Sequence, residues 1–122
     1  MNDEVLVRVL QCYVDGIVPE PADERTAVKA TLAELTQRAP GRSVEVRIPP
    51  YAAVQVVAGS VHRRGTPSAV VEANARTWLE LAVGRRTFAD ALHDGSVRAS
   101  GERSDLSEFL PLVTVTDSFD DH

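Results

Sequence analysis

Ala69-Val70-Val71-Glu72-Ala73-Asn74-Ala75-Arg76-Thr77-Trp78-Leu79-Glu80-Leu81-Ala82-Val83-Gly84 decides the fold. The first five residues, with the β-branched Val70 and Val71 between alanines, read as a short strand. Asn74 can cap a helix over Ala75 to Val83, and Gly84 can take the left-handed conformation that stops it. Downstream, Thr87 with Asp90 three residues later resembles a capping box and predicts a short helix ending near His93, with Gly95 after it. Ser96 to Ser100 then reads as a strand and Gly101 as a turn. Ser104 reads as the cap of a helix over Asp105 to Leu110, which Pro111 stops. The pattern is strand, helix, helix, strand, helix.

Upstream, Val44-Glu45-Val46-Arg47-Ile48 alternates strictly and predicts a strand with one face on the core and one in water. Pro49-Pro50 ends it, because proline cannot donate to a ladder. Ala52 to Ala58 is largely apolar on both faces and reads as a more central strand. Gly59 and Ser60 open the polar loop Val61-His62-Arg63-Arg64-Gly65-Thr66-Pro67. Further back, Val28, Leu32, Leu35 and Ala39 repeat at helical spacing over Ala22 to Ala39. Pro21 suits the first turn and Pro40-Gly41 ends the pattern. Asn2 to Val14 carries Leu6, Val9, Leu10 and Tyr13 at helical spacing, while Val5, Val7 and Val9 also alternate; helix is the favoured reading. Residues 1–21 thus form an N-terminal extension of helix and Pro-rich connector. The acidic tail 117–122 is expected to be loose.

A chain of 122 residues is expected to form a single domain, 1–122, able to bury a core without metal or disulfide. Hydrophobic residues at 43% and charged ones at 25% match ordinary soluble domains, excluding a fibrous or disordered chain. The net charge of −5 argues against nucleic-acid binding. The longest apolar stretch, Tyr51 to Gly59, is too short for integral membrane association. Met1-Asn2-Asp3-Glu4 is acidic where a secretory signal is basic, so a cytoplasmic location is the expectation. The single cysteine, Cys12, removes disulfide frameworks and multi-cysteine zinc sites.

The candidate chemistry is sparse. Glu102 and Asp105 could form an acid–base pair, but solvated charges at a helix entry are the commoner outcome. Asp90, His93 and Asp94 sit together near a helix end, with too few ligands for a metal. Ser60, Ser68 and Ser100 lack the sharp turn that exposes a nucleophile. Cys12, among apolar residues, reads as a small core hydrophobe. No nucleophile with an orienting base is visible, so no enzymatic activity, no metal and no cofactor are expected. His62-Arg63-Arg64 beside Gly65 could grip an acidic head group through charge-assisted bonds. Trp78, Leu79, Leu81, Phe88, Leu92, Phe109 and Leu110 lie on faces that must cover the strands, as core or as the wall of a cavity.

Ala69–Ala73, Thr77-Trp78-Leu79-Glu80-Leu81-Ala82-Val83-Gly84-Arg85, Phe88-Ala89-Asp90-Ala91-Leu92, Gly95–Gly101 and Asp105–Leu110, in that order, resemble the second half of the sterol carrier protein family. Val44 to Gln55, with His62-Arg63-Arg64-Gly65-Thr66-Pro67, further resembles its actinobacterial branch of bacterial sterol carrier orthologues. Together these cover about residues 22 to 116. The resemblance implies an α+β domain with a curved, mainly antiparallel sheet of four to five strands covered by helices. In lipid-binding relatives a hydrophobic tunnel lies between the two layers. Relatives have five strands and a closing apolar C-terminal segment; here four strands are secure and no long apolar segment follows Leu110. The family fold also serves as an accessory domain in enzymes, including mycothiol-dependent isomerases.

The expectation is therefore a non-enzymatic binding or carrier domain for a small apolar ligand: fatty-acyl, isoprenoid or sterol-like. Val46, Ile48, Val54 and Val56 would line the site from the sheet, with Val97 from the last strand. Trp78, Leu81, Phe88, Leu92, Phe109 and Leu110 would line it from the helices, and His62, Arg63 and Arg64 would hold a head group. The alternative is a protein-interaction module with a filled core, in the form of a homodimer, or an accessory domain of the isomerase kind.

Overall fold

The computed structural model describes residues 3–59, 69–101 and 104–115. The chain opens with α1 (Asp3–Asp15) and α2 (Pro21–Arg38), followed by β1 (Val44–Ile48), β2 (Ala52–Val56) and β3 (Ala69–Ala73). Next come α3 (Ala75–Ala82), α4 (Phe88–His93), β4 (Val97–Gly101) and a 3-10 turn over Ser107–Phe109. It is an α+β fold whose described residues form four strands ordered β2-β1-β3-β4; β1 and β3 run parallel, and the two outer pairs antiparallel.

In the first segment the helical period wins. Leu6, Val9 and Leu10 fall on one face of α1 and are buried, where a strand would have put Val9 and Leu10 on opposite sides. These residues pack on α2 and α3 of the same chain, which leaves them unavailable to a partner. Pro21 begins α2, Asp23 and Glu24 occupy its first turn and Arg38 its last, each favourable to the helix dipole. Its inner face is Ala27, Val28, Thr31, Leu32 and Leu35. The Ala39 N–H closes the helix on the Leu35 carbonyl.

The sheet corrects one expectation. Ala52 to Ala58 was expected to be the more central strand; among the described residues β2 is the outer strand beside β1, and the strictly alternating β1 has a neighbour on both sides. The helices cover only one face of the sheet, so even a central strand keeps a wet side. Val44, Val46 and Ile48 point inward, while Glu45 and Arg47 pair across the open face at 3.3 Å. Beside them, directly opposed Glu72 and Arg98 pair at 3.1 Å. In β2 the apolar open face is merely Ala53, too small to matter. The strand stops at Val56, because Val57 turns to a φ of 69° and donates its N–H to the Ala39 carbonyl. Gly41 permits this turn: a Cβ there would lie 2.2 Å from the Val57 carbonyl carbon.

The punctuation of the second half holds. The Asn74 side chain accepts the Thr77 N–H at 2.8 Å, and Thr87 accepts the Asp90 N–H at 3.1 Å. Gly84 and Gly95 have φ near +86° and +85°. The last helix does not form as expected. Residues 105–110 contain only the 3-10 turn, and Asp105, rather than Ser104, accepts the Ser107 N–H and hydroxyl. Leu106 and Leu112 both plug into the core, and a continuous helix ended by Pro111 cannot place both. Trp78 anchors the interior, donating its indole N–H to the Thr31 hydroxyl at 2.8 Å, while that hydroxyl donates to the Ala27 carbonyl. The acidic tail 117–122 lies outside the described residues.

Candidate functional site

A cleft of about 250 Å³ opens at the C-terminal end of α3. Leu81 from α3, Phe88 from α4 and Leu110 from the C-terminal segment supply its apolar wall, with Pro111 alongside. Thr87, Ser107 and Arg86 form its polar rim. The left-handed Gly84 reverses the chain so that Phe88 returns beside Leu81; a Cβ on Gly84 would touch Pro111 at 3.4 Å.

The C-terminal segment is stitched in place as a strap. The Leu112 and Val113 N–H groups both donate to the Ala82 carbonyl, at 2.8 and 3.1 Å. The Arg38 guanidinium donates to the carbonyls of Pro111 and Leu112 at 3.3 and 2.5 Å. A cation and two amides thus meet carbonyls left open in the strap and at the end of α3.

Arg86, 24% exposed, donates to Asp94 at 2.5 Å and to Ser96 at 3.2 Å, and lies 4.0 Å from Glu80. Hydrogen bonds from the Ser96 side chain and backbone, then the Arg86 charge, hold the Asp94 carboxyl below the usual carboxylate range. Both rim hydroxyls already have structural partners: Thr87 caps α4 and Ser107 donates to Asp105. The cleft can shelter an apolar chain beside a cation.

The expected lining residues separate into three groups. Leu81, Phe88 and Leu110 reach the cleft. Val46, Ile48 and Val56 are 0% exposed, and with Trp78 and Val97 they are packed into the core. A side chain bordering a water-sized void would show exposure to it, so the sheet–helix interface is filled around Val46, Ile48 and Val56. Val54 and Phe109 are half-buried against that core, and Leu92 faces solvent, 40% exposed. His62, Arg63 and Arg64 lie outside the described residues, as do Glu102, Ser60 and Ser68. Cys12 is half-buried rather than a core residue. Among the described residues no group of His, Cys, Asp or Glu could hold a metal; Asp94 is turned to Arg86 instead. A second, larger cleft of about 420 Å³ is lined by Pro49, Glu72, Ala73, Asn74, Gly95, Ser96 and Arg98, none of them an expected lining residue.

Sequence reasoning missed one cluster. The Tyr13 and Tyr51 hydroxyls donate to the two oxygens of Glu24, the latter at 2.7 Å. Burial and the bond to Glu24 push the Tyr13 phenol well above its ordinary value; the bond to Glu24 does the same for Tyr51. Arg76 stacks over the Tyr13 ring at 5.4 Å. The cluster ties α1, α2, α3 and the β1–β2 hairpin together. Its only sequence signal is a tyrosine on the inner stripe of α1, whose hydroxyl must find a partner.

Residues 20–112 match the family described as bacterial SCP ortholog. The chain belongs to this sterol carrier protein family. Helix α1 precedes the matched span, yet contributes Leu6, Val9 and Leu10 to the family core. Among solved structures the chain is similar to sterol carrier protein 2 like 2 from Aedes aegypti. Identity there is 13% over 73% of this chain and 98% of that one, with a TM-score of 0.44. Sterol carrier protein-2 like-3 from Aedes aegypti is 14% identical over 62% and 87% of the two chains, with a TM-score of 0.37. The ubiquinone synthesis protein UbiJ-SCP2 is 16% identical over 89% and 86%, with a TM-score of 0.36. No curated protein matches. Among the described residues no helix is long and apolar enough to cross a membrane.

Proposed function

We propose that this SCP-family chain is a non-enzymatic carrier for a small apolar ligand, taken up at the cleft between α3, α4 and the C-terminal strap. One observation carries the reading: Leu81, Phe88 and Leu110, far apart in sequence, converge on a single open recess. At about 30 Å³ per group, the share of a water in the liquid, 250 Å³ holds about eight methylenes. Burying eight methylenes at ~0.8 kcal/mol each yields about 6 kcal/mol, or tens of micromolar before ordering costs. Acyl or isoprenoid chains of this length fit; a sterol nucleus requires the strap to lift.

Calorimetric titration with straight-chain acids and alcohols tests it. Affinity is expected to rise with each methylene until the cleft is full, and to fall in Leu110→Ser and Phe88→Ala. An apo mass for the purified protein in native mass spectrometry, with no heat of binding at any chain length, refutes it. The filled interior around Val46, Ile48 and Val56 favours a second reading, a protein-interaction module. That reading expects ligand silence together with self-association or a bound protein partner.

A further inference from the structure

The larger cleft, of about 420 Å³, lies where three strands share one end of the sheet. Because β1 and β3 run parallel, Pro49 and Asn74 leave their strands side by side, and the turn Gly95-Ser96 feeds the antiparallel β4 at the same end. Glu72 and Arg98 are directly opposed in register and pair through one contact, Nη2 to Oε2 at 3.1 Å. Neither meets a further partner among the described residues, so Oε1 of Glu72 and the Nε and Nη1 groups of Arg98 keep their hydrogen-bonding capacity. Asn74 adds donors of fixed direction. Its extended backbone, φ −79° and ψ 171°, keeps it on the Glu72 side of the sheet, and its side-chain oxygen accepts the Thr77 N–H at 2.8 Å. The amide NH2 is the end left for the cleft. Ser96 is spent inside the wall: its N–H donates to Asp94 at 2.8 Å and its hydroxyl accepts from Arg86 at 3.2 Å.

The lining carries one cation and one carboxylate, so its charges balance. An anion would be repelled by Glu72 and a cation by Arg98. A hydroxyl accepts from the one and donates to the other without separating them. We infer that this cleft binds an uncharged polyhydroxylated ring, a hexose or cyclitol, either free or as the head of a glycolipid. One hydroxyl bridges the Glu72 carboxylate and the Arg98 guanidinium, and a second accepts from the Asn74 amide. The Pro49 ring offers an apolar side to the C–H face of the sugar. At about 30 Å³ per group the cleft holds about fourteen non-hydrogen atoms, and a hexose, with about a dozen, fits. The site shares no lining residue with the apolar cleft, so it stands or falls independently of the carrier reading.

Magnetic-resonance titration of the isotope-labelled chain tests it, read at the Asn74 side-chain NH2 and the Arg98 Nε–H. Methyl glucoside or myo-inositol should move both signals saturably at millimolar concentration, ahead of inorganic phosphate at equal ionic strength. Asn74→Asp keeps an equally good cap on α3 but replaces the donors by charge. It should weaken the sugar by about fivefold or more with an unchanged urea midpoint. Glu72→Gln sets the sign: a sugar loses its strongest acceptor and binds about threefold or more weakly, whereas an anion would bind more tightly. Octyl glucoside, kept below its micelle concentration, separates the two sources. A site for free sugar takes it and methyl glucoside alike, and a site for a glycolipid head takes it about tenfold more tightly. Silence from both rings up to about 0.1 M overturns the inference, as do shifts no larger than those at the exposed Arg25. So does phosphate binding ahead of the sugars, and so does tighter or unchanged sugar binding in Glu72→Gln.

Discussion

Thr31→Val isolates the buried hydrogen bond that joins α2 to α3. The Trp78 indole donates to the Thr31 hydroxyl at 2.8 Å, across 47 residues of sequence, with the two side chains 2% and 0% exposed. Valine keeps the shape of threonine and the apolar contacts around it, but offers no acceptor. The variant loses a net bond of about 1 kcal/mol and strands a buried donor, for a total near 2 kcal/mol. For a chain of this length that lowers Tm by roughly 6–8 °C. Urea unfolding followed by emission of Trp78, the sole tryptophan, measures the loss directly. The same substitution in a Trp78→Phe background, followed by circular dichroism, should cost about 0.5 kcal/mol or less, since no indole remains to be stranded. Equal costs in the two backgrounds, or a Thr31→Val variant within ~0.5 kcal/mol of the parent, would refute the reasoning.

Gly41→Ala drives a Cβ into the Val57 carbonyl at 2.2 Å and should cost more than ~2 kcal/mol, read as a fall in urea midpoint with unchanged slope. Asp94 and Asp105 have folded pKa values below their ordinary ones, so the stability they confer is complete above about pH 4 and is lost as pH falls through the lowered values. Asp94→Asn should therefore flatten the acid limb of a stability–pH curve. Tyr13 is shifted the other way: its contribution is complete below about pH 10 and is lost as pH rises beyond it, so Tyr13→Phe should flatten the alkaline limb in urea melts. Arg47→Ala, which breaks an exposed pair on the open face, should change stability by less than about 0.5 kcal/mol by the same assay.

What could be read from the sequence was local. The Asn74 and Thr87 caps, the Gly84 stop and the α2 stripe each depend on residues within one or two turns, and all stand where spacing puts them. The rank of a strand within the sheet was not legible. Burial on one face gives the central β1 and an edge strand the same alternation, and two alanines in β2 mimic a doubly buried strand. The helix expected at 105–110 failed for a tertiary reason, the demand for both Leu106 and Leu112 in the core. In the candidate site, Leu81, Phe88 and Leu110 were identifiable as apolar and helix-associated. The wall they form depends on the Ala82 carbonyl holding the strap, which no spacing announces. Arg86 was passed over because its partners, Asp94 and Ser96, are brought to it only by the turn before β4.

The lone parallel seam has a consequence for how the molecule assembles. One half, α1 to β2, consists of a helix pair and a hairpin, contacts between chain neighbours that close in microseconds. The other half, β3 to β4, closes through two short helices. Joining them takes the β1–β3 register, Val44 to Arg47 against Ala69 to Glu72, the only ladder between the halves among the described residues. Loop closure there is a late and entropically costly event. Substitutions at Val46 or Val71, in the seam, are therefore expected to slow folding, read on the folding limb of a denaturant chevron.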